Sequence, residues 1–204
     1  MPAPFTNYTY TSVGEVDKET DHLGRITDYT YNALSELTKV DLPDPDGAGG
    51  NPILSLQYAY DNLGRVKSTI DQRGQTTTYA YNAASWLTST TLPDPDGATG
   101  DTFFGTNLPS PVTTLGYDAN GWLRTQDELG PNSGTLRTTY NRDALGRVTS
   151  MITPQPGSDT GATATTSYQY DAIGRTKSIT DPLSNVTSYA YNPALRTVTT
   201  TEPD

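Results

Sequence analysis

Read as a string of apolar and polar positions, the chain alternates with a period of two and never adopts the i, i+3, i+4 spacing of a helix. Thr76 to Tyr81 is the clearest case. Thr77, Tyr79 and Tyr81 fall on one face, and Thr76, Thr78 and Ala80 on the other. Val66, Ser68 and Ile70 alternate with Lys67 and Thr69 in the same way. Such segments are rich in Thr, Tyr and Val, the residues that suit a pleated, half-covered surface. They are separated by groups of the form Asp-x-x-Gly, so the predicted fold is all-β: antiparallel β-hairpins in a meandering, twisted strip.

The turn group recurs at 11–14, 21–24, 32–35, 61–64, 71–74, 82–85, 118–121, 127–130, 143–146, 171–174, 181–184 and 192–195. Its form has a mechanism. Asp or Asn at the first position bonds the backbone two residues on, and Gly at the fourth accepts a positive φ, as in a type I turn closed by a bulge. Arg25, Arg65, Arg147 and Arg175 follow the glycine. Each is expected to open the next strand and to lie across the sheet against an Asp or Tyr of the adjoining hairpin, where exposed pairs contribute about 0–1 kcal/mol.

A tyrosine signature sets the register. The second Tyr of Tyr-x-Tyr-Asp/Asn stands at Tyr10, Tyr31, Tyr60 and Tyr81, in degenerate form at Tyr117 and Tyr140, and again at Tyr170 and Tyr191. Short and long units alternate, and fixed-period similarity of this kind marks a stacked repeat. The long units hold insertions. Leu42-Pro-Asp-Pro-Asp-Gly-Ala48 returns as Leu92-Pro-Asp-Pro-Asp-Gly-Ala98, where proline ends a strand and glycine permits reversal. No boundary interrupts the pattern, so residues 1–204 are read as a single region of about eight units.

Tyr58-x-Tyr60-Asp61-x-x-Gly64-Arg65 and Tyr168-x-Tyr170-Asp171-x-x-Gly174-Arg175 are similar to the YD repeat of the Rhs family. That family comprises bacterial Rhs and wall-associated polymorphic toxins, the C subunits of insecticidal toxin complexes, and the teneurins. The resemblance covers essentially the whole chain. It implies hairpins in a strip that spirals into a hollow shell around a C-terminal toxin or other polypeptide, in a secreted or cell-surface parent. These ten residues are expected to be structural. The self-cleaving closing segment and variable toxin of complete members are not visible here, so the chain is expected to be an excerpt of the repeat region.

Composition narrows the chemistry. Leu, Ile, Val and Phe make up only 34 of 204 residues, but 14 tyrosines and the regular repeat point to ordered, thinly packed β structure rather than disorder. A net charge of −10 argues against nucleic acid and against an anionic membrane surface. No apolar run is long enough to span a bilayer as a helix, and Met1-Pro2-Ala3-Pro4-Phe5 has no signal-peptide character. With no Cys and one His, His22, nucleophilic triads have no seat. Neither Pro-Asp loop is followed by the Glu a calcium loop needs, and nearly every other carboxylate is accounted for by a turn. No catalytic residue, cofactor or metal is therefore expected, and the chain is read as a non-enzyme.

The leading reading is a scaffold with an enclosed or neighbouring polypeptide of the parent as partner, and self-association through strand edges is expected. A second is an extracellular module that binds glycans or proteins through aromatic rows, with Trp86 and Trp122, or through the Pro-Asp loops; packing is the plainer explanation of the tyrosines and tryptophans. A glycan-cleaving enzyme with two facing carboxylates is the weakest reading.

Overall fold

A computed structural model describes residues 5–43, 54–95, 109–129, 134–155, 162–194 and 197–202. Among them there is no helix, and sixteen strands form hairpins in chain order. The first four hairpins are β1 (Asn7–Tyr10) with β2 (Val16–Thr20), β3 (Ile26–Tyr31) with β4 (Leu37–Asp41), β5 (Ser55–Tyr60) with β6 (Val66–Ile70), and β7 (Thr76–Tyr81) followed by β8 (Leu87–Thr91). The next four are β9 (Val112–Tyr117) with β10 (Leu123–Leu129), β11 (Thr135–Arg142) with β12 (Val148–Pro154), β13 (Thr163–Tyr170) with β14 (Thr176–Thr180), and β15 (Val186–Asn192) with β16 (Thr197–Thr201). The all-β expectation holds.

Two compact units emerge from the backbone contacts. One comprises residues 1–82 with 90–111, and the other residues 83–89 with 112–204. Within the first, β1 to β7 form an antiparallel meander, and within the second β9 to β16 do the same, each strand pairing with its sequence neighbours. The pairing fixes the faces. Tyr29 lies opposite Val40, which lies opposite Leu56. Tyr58 lies opposite Thr69 and Thr69 opposite Thr77, and Tyr168, Ile179 and Thr187 form the same series in the second unit. One face thus carries the tyrosines with Val40, Leu56 and Ile179; the other carries Ser68, Thr78, Ser150, Ser167 and Ser178, with Ile70 and Ile152 among them.

Neither face builds a core. Among the described residues only Val40 is buried, at 8% exposure. The alternation of half-covered and open positions along Thr76–Tyr81 matches the sequence pattern, but the half-covered side meets only its own neighbours. A lone hairpin is marginal in water, so order here must come from the ladder and from side chains that reach between hairpins.

One expected turn is absent. Asp127, Glu128 and Leu129 belong to β10, and Asp127 lies directly opposite Arg137 of β11. The Arg137 guanidinium grips that carboxylate with two bonds, of 2.6 and 2.7 Å. A cross-strand partner ten residues ahead therefore overrides the local Asp-x-x-Gly pattern, and the strand runs on. The Pro-Asp loops beyond their first residues, and the end of the 192–195 group, lie outside the described residues.

Candidate functional site

The turns fall into two kinds at opposite ends of the strands. Those that follow a tyrosine close the hairpins β1–β2, β3–β4, β5–β6, β9–β10 and β13–β14; those at 21–24, 71–74 and 181–184 link one hairpin to the next. Both share one local geometry. At 61–65, Gly64 N–H donates to Asp61 O at 3.1 Å and Asp61 N–H donates to Arg65 O at 2.9 Å. Asp61 Oδ1 accepts the amides of Leu63 and Arg65. The fourth residue takes a positive φ, +74° at Gly64 and +89° at Gly174; Ser35, Ser85 and Ser184 adopt it too, against their side-chain preference.

The fifth residue differs from the expectation for the arginines. Arg65 precedes β6 rather than opening it, and its guanidinium turns back onto its own turn's Asp61, at 2.7 and 2.6 Å from Oδ2. Arg147 with Asp143, and Arg175 with Asp171, repeat this pairing. The hydrogen bond from Arg65 holds the Asp61 carboxyl below its ordinary value, helped by the Leu63 and Arg65 amides and opposed by partial desolvation. Asp143 is lowered likewise, first by Arg147. The outer face of each guanidinium meets the tyrosine of the next unit: Arg65 lies over Tyr81 at 4.7 Å, Arg147 over Tyr170 at 4.7 Å and Arg175 over Tyr191 at 4.1 Å. The Asp partner is thus the arginine's own, and only the Tyr belongs to the adjoining hairpin.

That tyrosine reaches back. Tyr60 Oη donates to Leu37 O at 2.7 Å, Tyr81 to Val66 O, Tyr117 to Leu87 O, Tyr170 to Val148 O at 2.7 Å, and Tyr191 to Thr176 O. The acceptor is always the first strand residue after the turn that closes the preceding hairpin. Burial raises the Tyr60 hydroxyl's pKa, with the Glu36 carboxylate adding to it. Tyr58 and Tyr168, the first tyrosines of the signature, are half-covered on the same face.

Trp86 and Trp122 occupy the fifth position of their turns and pack rather than stand free. The Trp86 ring meets Tyr117 at 5.4 Å between centroids. A Cβ placed on Gly121 would lie 2.7 Å from the Trp86 ring, and one on Gly146 would lie 2.5 Å from that of Trp122. Turn glycines of one hairpin therefore lie flat on the fifth residue of the hairpin before. The remaining candidates stay apart: His22 is exposed in its turn, and no group of three or more potential metal ligands occurs among the described residues.

Sequence reasoning missed Arg142. The register set at Tyr140 is off by two. Arg142, not Tyr140, directly precedes Asp143, as Tyr60 precedes Asp61 and Tyr170 precedes Asp171. Its Nε donates to Leu123 O at 3.3 Å and its Nη1 to Gly146 O at 2.9 Å. Leu123 O is the acceptor a tyrosine would use at this place.

The interlocked signature is what comparison with known proteins also detects. The RHS Repeat family model matches residues 56–99, 117–157 and 170–204, well over half of the chain. The chain belongs to the RHS repeat family. Solved structures agree on the fold. "TcdB2-TccC3 without hypervariable C-terminal region" superposes with a TM-score of 0.70 at 16% identity over 96% of this chain, and "TcdB2-TccC3-TEV" with 0.70 at 18% over 98%. The RHS chain spans only 10% of the length of each. No curated protein matches its sequence. This RHS segment is a structural repeat scaffold.

Proposed function

We propose that this RHS segment is part of a β-shell that encloses a polypeptide of its own parent protein, in a secreted or cell-surface setting. The observation that carries the reading is the use made of the signature. Tyr60, Asp61, Gly64 and Arg65, and likewise Tyr170, Asp171, Gly174 and Arg175, spend their hydroxyl, carboxylate, missing Cβ and guanidinium on the turn and on the hairpins before and after it. With Tyr58 and Tyr168 they are structural residues. The fold shared with TcdB2-TccC3, one form of which is described as lacking a hypervariable C-terminal region, supports a passenger carried in the same parent. On this reading residues 1–204 act as one repeat region that bounds a compartment and performs no reaction.

Electron microscopy of the parent, with limited proteolysis, tests it. The expected result is an enclosed volume and a downstream polypeptide resistant to protease until the wall is denatured. A parent with no enclosed volume and a freely digested passenger overturns it. The glycan-binding reading is less favoured, because the anchoring tyrosines give their hydroxyls to backbone carbonyls. A glycan-cleaving role is the least favoured, because the turn carboxylates already hold amides and guanidinium groups.

A further inference from the structure

We infer that Arg142 is a working substitute for the anchor tyrosine, and that it sets a distinct joint between the hairpins β9–β10 and β11–β12. This rests on the scaffold reading and names the residue that maintains the scaffold where the repeat is irregular. Two arguments carry it. The first is position: Arg142 stands immediately before the turn aspartate, and its backbone shares the register shift found before the turn in other hairpins, here between Asn141 and Arg142. The second is the bond: a planar side chain of the next hairpin reaches the carbonyl of Leu123, as Tyr170 reaches Val148 and Tyr191 reaches Thr176.

The substitution is not neutral in shape. A tyrosine ring covers the fifth residue of the previous turn, as Tyr117 covers Trp86. Arg142 instead gives a second bond to Gly146 O of its own turn, so its guanidinium is held by two carbonyls. Among the described residues no aromatic ring or guanidinium stacks on Trp122. An open groove of about 500 Å³ remains beside it, lined by Asp118, Trp122, Arg124, Tyr140 and Arg142. Arginine therefore keeps the hydrogen-bonded anchor while giving up the stacked lid.

Arg142→Tyr, Arg142→Met and Arg142→Ala, made in the full chain, test the inference by hydrogen exchange of the β10 and β11 amides. Acrylamide quenching of Trp122 in a Trp86→Phe background supplies the second readout. Met and Ala are expected to speed exchange in β10 and β11 by about tenfold, the scale of one lost hydrogen bond. Tyr is expected to restore protection and to lower Trp122 quenching, since a ring now closes the groove. Protection unchanged in Arg142→Ala overturns the inference. So does protection retained in Arg142→Met, which would assign the effect to the aliphatic stem, and so does an Arg142→Tyr chain that loosens or unfolds as Ala does. None of these outcomes depends on what the shell encloses.

Discussion

The two kinds of turn share a sequence and differ in reach. At the linking turns, the fifth residue serves its own aspartate: Arg25 holds Asp21 at 2.7 Å and Asn185 holds Asp181 at 2.8 Å. At the hairpin-closing turns, the same position holds its own aspartate and also lies beneath the next hairpin, as Arg175 does under Tyr191. The difference lies in the preceding residue. A tyrosine before the aspartate supplies both the ring to stack on and the hydroxyl that returns to the previous hairpin; Thr20, Ile70 and Thr180 before the linking turns supply neither. One local motif thus closes chain reversals at both ends, while cohesion between hairpins is concentrated at one.

The largest test of that contrast uses glycine. Gly146 combines φ +81° with a virtual Cβ only 2.5 Å from Trp122, whereas Gly74 has φ +76° and open space around it. Gly74→Ala is expected to cost about 1–2 kcal/mol, the backbone penalty alone. Gly146→Ala adds overpacking and should cost about 2–4 kcal/mol. Urea unfolding of the two variants measures both; equal costs would show that the close approach to the tryptophan carries no energy.

The next test removes the returning hydroxyl. Tyr60→Phe and Tyr170→Phe should each cost about 1 kcal/mol, with exchange speeding up on both sides of the affected junction. The same bond has a pH signature. Because the Tyr60 pKa is raised in the folded chain, its contribution is complete below the unfolded value of about 10 and is lost as pH rises through the folded value. Asp61 and Asp143 are lowered, so theirs is complete above about pH 4 and is lost as pH falls further. Asp21 and Asp181 are lowered as well, so acid should loosen both kinds of turn. Alkali should release the Tyr60 junction instead, which exchange mapped at pH 4 and above pH 10 will resolve.

The smallest effect separates the arginines. Arg175→Gln loses a stacked guanidinium and should cost about 0.5–1 kcal/mol, while Arg25→Gln loses only an exposed ion pair and should fall within a few tenths. Thermal melts of the two single variants decide it.

Much of this was legible in the residues. Period-two alternation and a turn group with a mechanism fixed the strands, because both are local. Where Asp-x-x-Gly failed, at 127–130, the cause was a partner on another strand, Arg137, which no four-residue pattern contains. The tyrosines were visible as a register but not as clasps, since Tyr60 and Leu37 lie 23 residues apart and the bond runs to backbone. Arg142 escaped because the reading followed the residue type rather than the slot. Asking what stands directly before each turn aspartate would have found it.

A globular domain defends an interior, and any change in its length disturbs that interior. Here Val40 is the only described side chain shut away from water, so a hairpin added to or removed from such a chain has no shared filling to rearrange. It needs only to offer one ring and one carbonyl to each neighbour. Walls of very different extent are then reachable by duplication and loss of units, with each intermediate as sound as the last.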